Sequence, residues 1–172
     1  MIRSLRVPGP RRVLAVGISV LALALISGSA GAAGCWSTRG KVDLEAAPGP
    51  PCASPVGICL SGDVTGGLSG TSFSTVTSVV PTADTPTTSV VILTADTELT
   101  TSHGVLSLKD TIVSETSTGE FSELDIVVAG TGRWAGATGN VRIDGTFDGN
   151  VLTGRYIAQI CPVHTTSETP NR

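Results

Sequence analysis

Aromatic side chains are scarce in this chain. Its 172 residues include two tryptophans, one tyrosine and three phenylalanines. So few flat faces exclude carbohydrate binding by stacked rings. Basic residues are equally scarce beyond the N-terminus. Of 11 Lys and Arg, four (Arg3, Arg6, Arg11, Arg12) fall within the first twelve residues, leaving seven against 14 Asp and Glu. A surface that contacts phosphates needs a basic patch. Nucleic acid is therefore not an expected partner, and a polybasic membrane-binding face is missing too. The acidity serves solubility.

Familiar reactive signatures are also missing. There is no Cys-x-x-Cys, and neither His103 nor His164 has a second ligand nearby, so no metal site and no cofactor is expected. Neither histidine sits beside the nucleophile and orienting acid of a triad. Ser89, Ser107 and Ser114 lack the glycine-flanked elbow of a nucleophile. No stretch beyond residue 35 sustains a 3.6-residue apolar period for three turns, which excludes a substantial helix there.

The one long apolar run is residues 13–26. It follows the arginine-bearing segment and precedes the small residues 27–34. These three parts form a secretory signal peptide, residues 1–33, cleaved after Ala32 or Ala33. Its apolar run is shorter than the roughly 20 residues a membrane-spanning helix needs. The mature chain is expected outside the cell, by a bacterium-like route. Arg11-Arg12 raises a twin-arginine signal as one variant. Ala33-Gly34-Cys35 raises a lipoprotein, acylated on Cys35, as another.

What is present points to strands. Thr, Val and Ile abound from Ile58 onward, with turn residues at short intervals. Residues 34–55 contain Ala46-Ala47-Pro48-Gly49-Pro50-Pro51 and read as an irregular lead-in, since proline neither donates to a ladder nor leaves φ free. Strands are expected over 58–66, 68–80, 88–94, 98–101, 105–115, 120–129, 140–147 and 151–161. Asp148-Gly149-Asn150 is a hairpin turn. Residues 56–162 thus make one all-β domain, a single antiparallel up-and-down barrel of about eight strands, and residues 163–172 a polar tail. Short sequential hairpins favour a barrel over a Greek-key sandwich.

The four cysteines, Cys35, Cys52, Cys59 and Cys161, all lie in the exported part and read as two disulfides. In a closed barrel the first strand pairs with the last. Cys59 starts one expected strand and Cys161 ends the other, so a Cys59–Cys161 bridge would lock the seam, with Cys35–Cys52 in the lead-in. The competing arrangement is Cys52–Cys59 with Cys35–Cys161.

Polar groups on apolar faces are the candidates for chemistry. Asp110 shares a face with Leu106, Leu108 and Ile112. Inside a barrel its carboxylate would be costly unless paired or protonated, which suits a ligand anchor or a general acid. Tyr156 lies on the apolar face of the last strand. Trp134, Phe73 and Phe147 are bulky enough to line a cavity. Glu123 and Asp125 alternate with Leu124, Ile126 and Val128, and read as a solvated outer face.

One segment carries a resemblance. Residues 130–139 read Gly-Thr-Gly-Arg-Trp-Ala-Gly-Ala-Thr-Gly. This resembles the Gly-x-Gly-x-aromatic-x-Gly-Ala-x-Gly loop of the allene oxide cyclase and dirigent barrel superfamily, in particular its secreted bacterial members of unsettled activity. The resemblance implies an eight-stranded barrel over nearly all of residues 52–162. No functional residue of the family matches a position here beyond that loop. The first expectation for function is a secreted, non-catalytic barrel holding a small apolar molecule in its interior. The alternatives are an isomerase or cyclase steering a reactive apolar substrate, and a structural cell-surface protein with a filled barrel.

Overall fold

A computed structural model describes residues 34–82 and 89–162. The signal segment and the tail lie outside these. Eight strands run in order: β1 Trp36–Ala46, β2 Cys59–Gly66, β3 Gly70–Pro81, β4 Val90–Thr101, β5 Gly104–Glu115, β6 Glu120–Gly130, β7 Thr138–Phe147 and β8 Val151–Cys161. Each pairs antiparallel with the next, and β1 pairs with β8, so the sheet is a closed up-and-down barrel.

Closure removes the free edges through which sheets associate. It also gives every strand an inside and an outside. In β1, Val42 and Leu44 are buried while Lys41, Asp43 and Glu45 are exposed. That alternation is what a half-buried strand requires. The same phase puts Leu60 and Val64, Leu99, Leu106 and Leu108, Val141 and Ile143, and Leu152 and Tyr156 into one core.

Three sequence expectations change here. The first strand is not at residue 58, because the supposed lead-in contains β1. The strands expected at 88–94 and 98–101 are one, β4, whose pairing with β5 runs unbroken from Val90 to Thr101. The total of eight is reached with one strand missed and one counted twice. The disulfides are Cys35–Cys161 and Cys52–Cys59, not Cys59–Cys161 and Cys35–Cys52. The seam is bridged as expected of a closed barrel, but from the residue preceding the true first strand. Cys52–Cys59 fastens the connection between β1 and β2 onto the start of β2. Since the sulfur of Cys35 is held in a disulfide, it is not free for the thioether of a lipoprotein.

The ends of the barrel are closed differently. At one end the glycine-rich loop makes a single 3-10 turn, Gly132–Trp134, which lays the Trp134 ring over the opening. Trp134 is buried, stacks on Trp36 with ring centroids 6.1 Å apart, and donates its indole N–H to Thr101 Oγ1 at 2.9 Å. Gly132 has φ of +59°, and a Cβ there would meet the His103 carbonyl. The turn therefore needs glycine both for conformation and for space. Leu68, between β2 and β3, is buried, and its N–H donates to the Tyr156 hydroxyl at 2.8 Å. At the opposite end Phe121 and Phe147 sit near the short turns joining β5 to β6 and β7 to β8. The Asp148 carboxylate accepts the backbone N–H groups of Asn150 and Val151 in the second of these turns. Those bonds favour its charged form and lower its pKa.

Candidate functional site: a carboxyl cluster on the inner wall

The interior has two unlike halves. Strands β7, β8, β1 and β2 line it with Val141, Ile143, Leu152, Tyr156, Val42, Leu44, Leu60 and Val64. Strands β3 to β6 also contribute Ser72, Ser74, Thr97, Glu123 and Asp125, and Asp110 lies buried beside them. Between these walls is a cavity of about 60 Å³.

The carboxyl groups come together by register. Asp110 on β5 is the cross-strand partner of Asp125 on β6, and Ile112 is the partner of Glu123. Residues 121, 123, 125 and 127 share the inner face of β6, so Glu123 and Asp125 follow Phe121 inward and lie on the same side as Val127. Asp110 and Asp125 are each only 3% exposed. One carboxylate oxygen from each of Asp110, Glu123 and Asp125 lies within 4.8 Å of the others. Thr97 Oγ1 donates to Asp110 Oδ2 at 2.5 Å. Asp110 Oδ1 and Asp125 Oδ1 are buried and have no hydrogen-bond partner.

The expectation that Glu123 and Asp125 face solvent is thus overturned. Leu124, Ile126 and Val128 are the outward residues, between 44% and 53% exposed. This strand is inverted relative to ordinary patterning. A bulge accompanies the inversion: Ser107 pairs with Ala129 and Leu108 with Val127, leaving Val128 unpaired. The sequence held one signal for this arrangement. Phe121 and Val127 are in phase with the two acids, and both are apolar.

Burial sets the electrostatics. Desolvation raises the Asp110 pKa from 3.8 to about 6, against a lowering by the Thr97 hydrogen bond. Desolvation is again the largest cause at Glu123, raised from 4.5 to about 8, with the charge of Asp110 adding to it. Asp125 is raised well above 3.8 by desolvation and then by the charges of Glu123 and Asp110. No basic side chain among the described residues lines the cavity. The nearest cation in sequence, Lys109, points outward and pairs with Asp96 at 2.5 Å on the surface. Three acids therefore share a buried wall without a counter-charge, a state in which protons are retained.

The other candidates are placed as follows. Tyr156 lines the cavity, and its hydroxyl is engaged by Leu68. Trp134 closes one end of the barrel and is not among the cavity residues. Phe147 is at the opposite end, in a shallow depression with Ser114 and Gly119. Phe73 is a correction: Ser72 and Ser74 face inward, so Phe73 is on the outer wall, away from the interior.

No protein-family model, curated protein or solved structure matches the chain. Two disulfides are consistent with an extracellular location. No helix among the described residues is long and apolar enough to cross a membrane.

Proposed function

We propose that this protein is a secreted, non-catalytic binding barrel that holds a small ligand in its interior, its polar group received by Asp110, Glu123 and Asp125. One observation carries the reading: two aspartates, almost wholly buried, each keep an oxygen unpartnered next to a cavity. An unsatisfied buried acceptor costs roughly 1–3 kcal/mol, and more when charged. A filled structural barrel gains nothing from that cost, whereas a ligand offsets it.

The cavity volume narrows the ligand. Drug-sized molecules occupy pockets of about 300–1,000 Å³. A space of about 60 Å³ admits a group of a few heavy atoms, so the small apolar molecule first expected must be of that size, and a drug-sized guest would require the barrel to open. The apolar wall then receives no more than a short tail. Kinship with the allene oxide cyclase and dirigent barrels is part of the same proposal and rests on residues 130–139 alone.

A second reading has its own support. Glu123, with a pKa of about 8, keeps a proton near neutrality and has a general acid's character. An isomerase or cyclase would use it on a reactive substrate. Native mass spectrometry of protein purified from its secretion medium tests the main reading, with a bound small species as the expected result. An empty barrel that binds nothing from that medium would contradict it. Asp110→Asn separates the two readings: turnover lost with binding retained supports catalysis.

A further inference from the structure

We propose that Asp110, Glu123 and Asp125 form a site for one hard divalent cation, with calcium the best fit. The proposal rests on the reading of the interior as a ligand site, and names the ligand. Its starting point is the donor set. Three carboxylates with no imidazole or thiolate among them select calcium, magnesium or manganese over zinc or copper. Thr97 adds a hydroxyl beside Asp110.

Coordination habit favours calcium among these. Calcium binds oxygen at about 2.3–2.6 Å, so two ligand atoms on opposite sides lie about 4.6–5.2 Å apart. Magnesium at about 2.0–2.1 Å would need the opposite pair at about 4.0–4.2 Å. The three carboxylate oxygens lie within 4.8 Å of one another. That upper limit admits either ion, so the preference rests on calcium's tolerance of irregular oxygen shells, whereas magnesium demands a near-ideal octahedron and keeps several waters, for which about 60 Å³ leaves little room. Volume agrees: each water needs about 10–15 Å³ of such space, so about 60 Å³ holds an ion with the one or two waters that complete its shell.

The unpartnered oxygens are the independent observation. Asp110 Oδ1 and Asp125 Oδ1 are buried side-chain acceptors that no N–H or hydroxyl group of the protein reaches, leaving only a proton shared among the three carboxyls to satisfy them. A cation satisfies both at once and supplies the positive charge that the wall lacks. The inversion of β6 acquires a reason as well. Turning Glu123 and Asp125 inward exposes Leu124, Ile126 and Val128, and an interior ion offsets that arrangement.

The test is a titration of chelator-treated protein with calcium chloride alone, followed by calorimetry and by thermal melting. One equivalent is expected to bind. At a hundredfold excess over Kd the melting temperature is expected to rise by roughly 10 °C. Asp125→Asn is expected to weaken binding by about tenfold or more, because affinity follows the ligand charge count. Asp63→Asn, on the outer face of β2, is expected to leave it unchanged. Terbium gives a readout on unsubstituted protein: Tyr156 lines the same cavity, so terbium emission excited through it should appear and be quenched by calcium. Absence of both heat and terbium emission would overturn the cation site, as would equal calcium affinity in Asp125→Asn and the unsubstituted protein. A small organic species displacing nothing but water from the cavity, with no response to calcium, would overturn the cation and leave the interior-ligand reading standing.

Discussion

Asp110 and Asp125 face each other across the β5–β6 ladder, and each keeps an oxygen that no hydrogen bond reaches. Two like charges directly opposite on neighbouring strands are destabilising even at a surface. Here the two acids are buried in a wall with Glu123 and no cation, so they avoid that repulsion by holding protons. That relationship governs how the protein should respond to pH, to substitution and to chemical probes.

Stability without a bound ion should fall as pH rises. An acid whose folded pKa lies above its unfolded value holds its proton longer in the folded state, so stability declines between the two values. For Asp110 this window runs from 3.8 to about 6, and for Glu123 from 4.5 to about 8. At about 1.36 kcal/mol per unit, Asp110 alone accounts for a loss of about 3 kcal/mol. Asp148, with its lowered pKa, acts in the opposite sense only near and below pH 4, where its turn bonds are lost. Urea unfolding in chelator at pH 4.5, 6 and 8 checks this. Stability that is flat or rising across that range would contradict it.

Asp125→Asn should stabilise the ion-free protein at pH 8 by about 1–3 kcal/mol, since it removes a group whose ionisation is costly there, relieves Asp110 and Glu123 of its charge, and adds donors toward its neighbours. A residue kept for binding at a cost to folding behaves in this way. Denaturant midpoints of the two proteins decide it, and a destabilised variant would argue that the carboxylate is already satisfied.

The two disulfides should differ in worth. Cys35–Cys161 closes a loop with a sequence separation of 126, and Cys52–Cys59 one of 7. Chain entropy assigns them about 5 and about 2 kcal/mol respectively. Replacing each pair by serine and measuring unfolding in urea should reproduce that order. Peptide mapping that joined Cys59 to Cys161 would refute the pairing itself.

Trp134→Ala should cost about 3–5 kcal/mol, as expected for truncating a buried aromatic side chain. It removes the ring that covers one barrel end, the stack on Trp36 and the bond to Thr101. Stability within 1 kcal/mol of the parent, approximately the spread of surface substitutions, would show that this end is not sealed by the glycine loop.

The architecture was legible because turn residues and β-branched residues alternate so regularly from Ile58 onward. β1 was missed although Val42 and Leu44 alternate cleanly with Lys41, Asp43 and Glu45. The proline-rich segment after it drew the boundary too late, and the misplaced first strand then misassigned Cys59 to the seam. Asp110 was legible as an interior carboxyl because three apolar residues share its face. Glu123 and Asp125 were not, because period-2 patterning assigns acids to solvent unless something inside repays their burial. That failure falls on the very strand that completes the cluster.

Carboxyl footprinting bears on the central claim most directly. Native protein would be amidated with a carbodiimide and a small amine, and each modified residue located by mass spectrometry. Asp43, Asp63, Glu120 and Asp144 are exposed and should react readily, while Asp110 and Asp125 stay unmodified and Glu123 reacts slowly. Modification of Glu123 and Asp125 as fast as Glu120 would place them in solvent and remove the site.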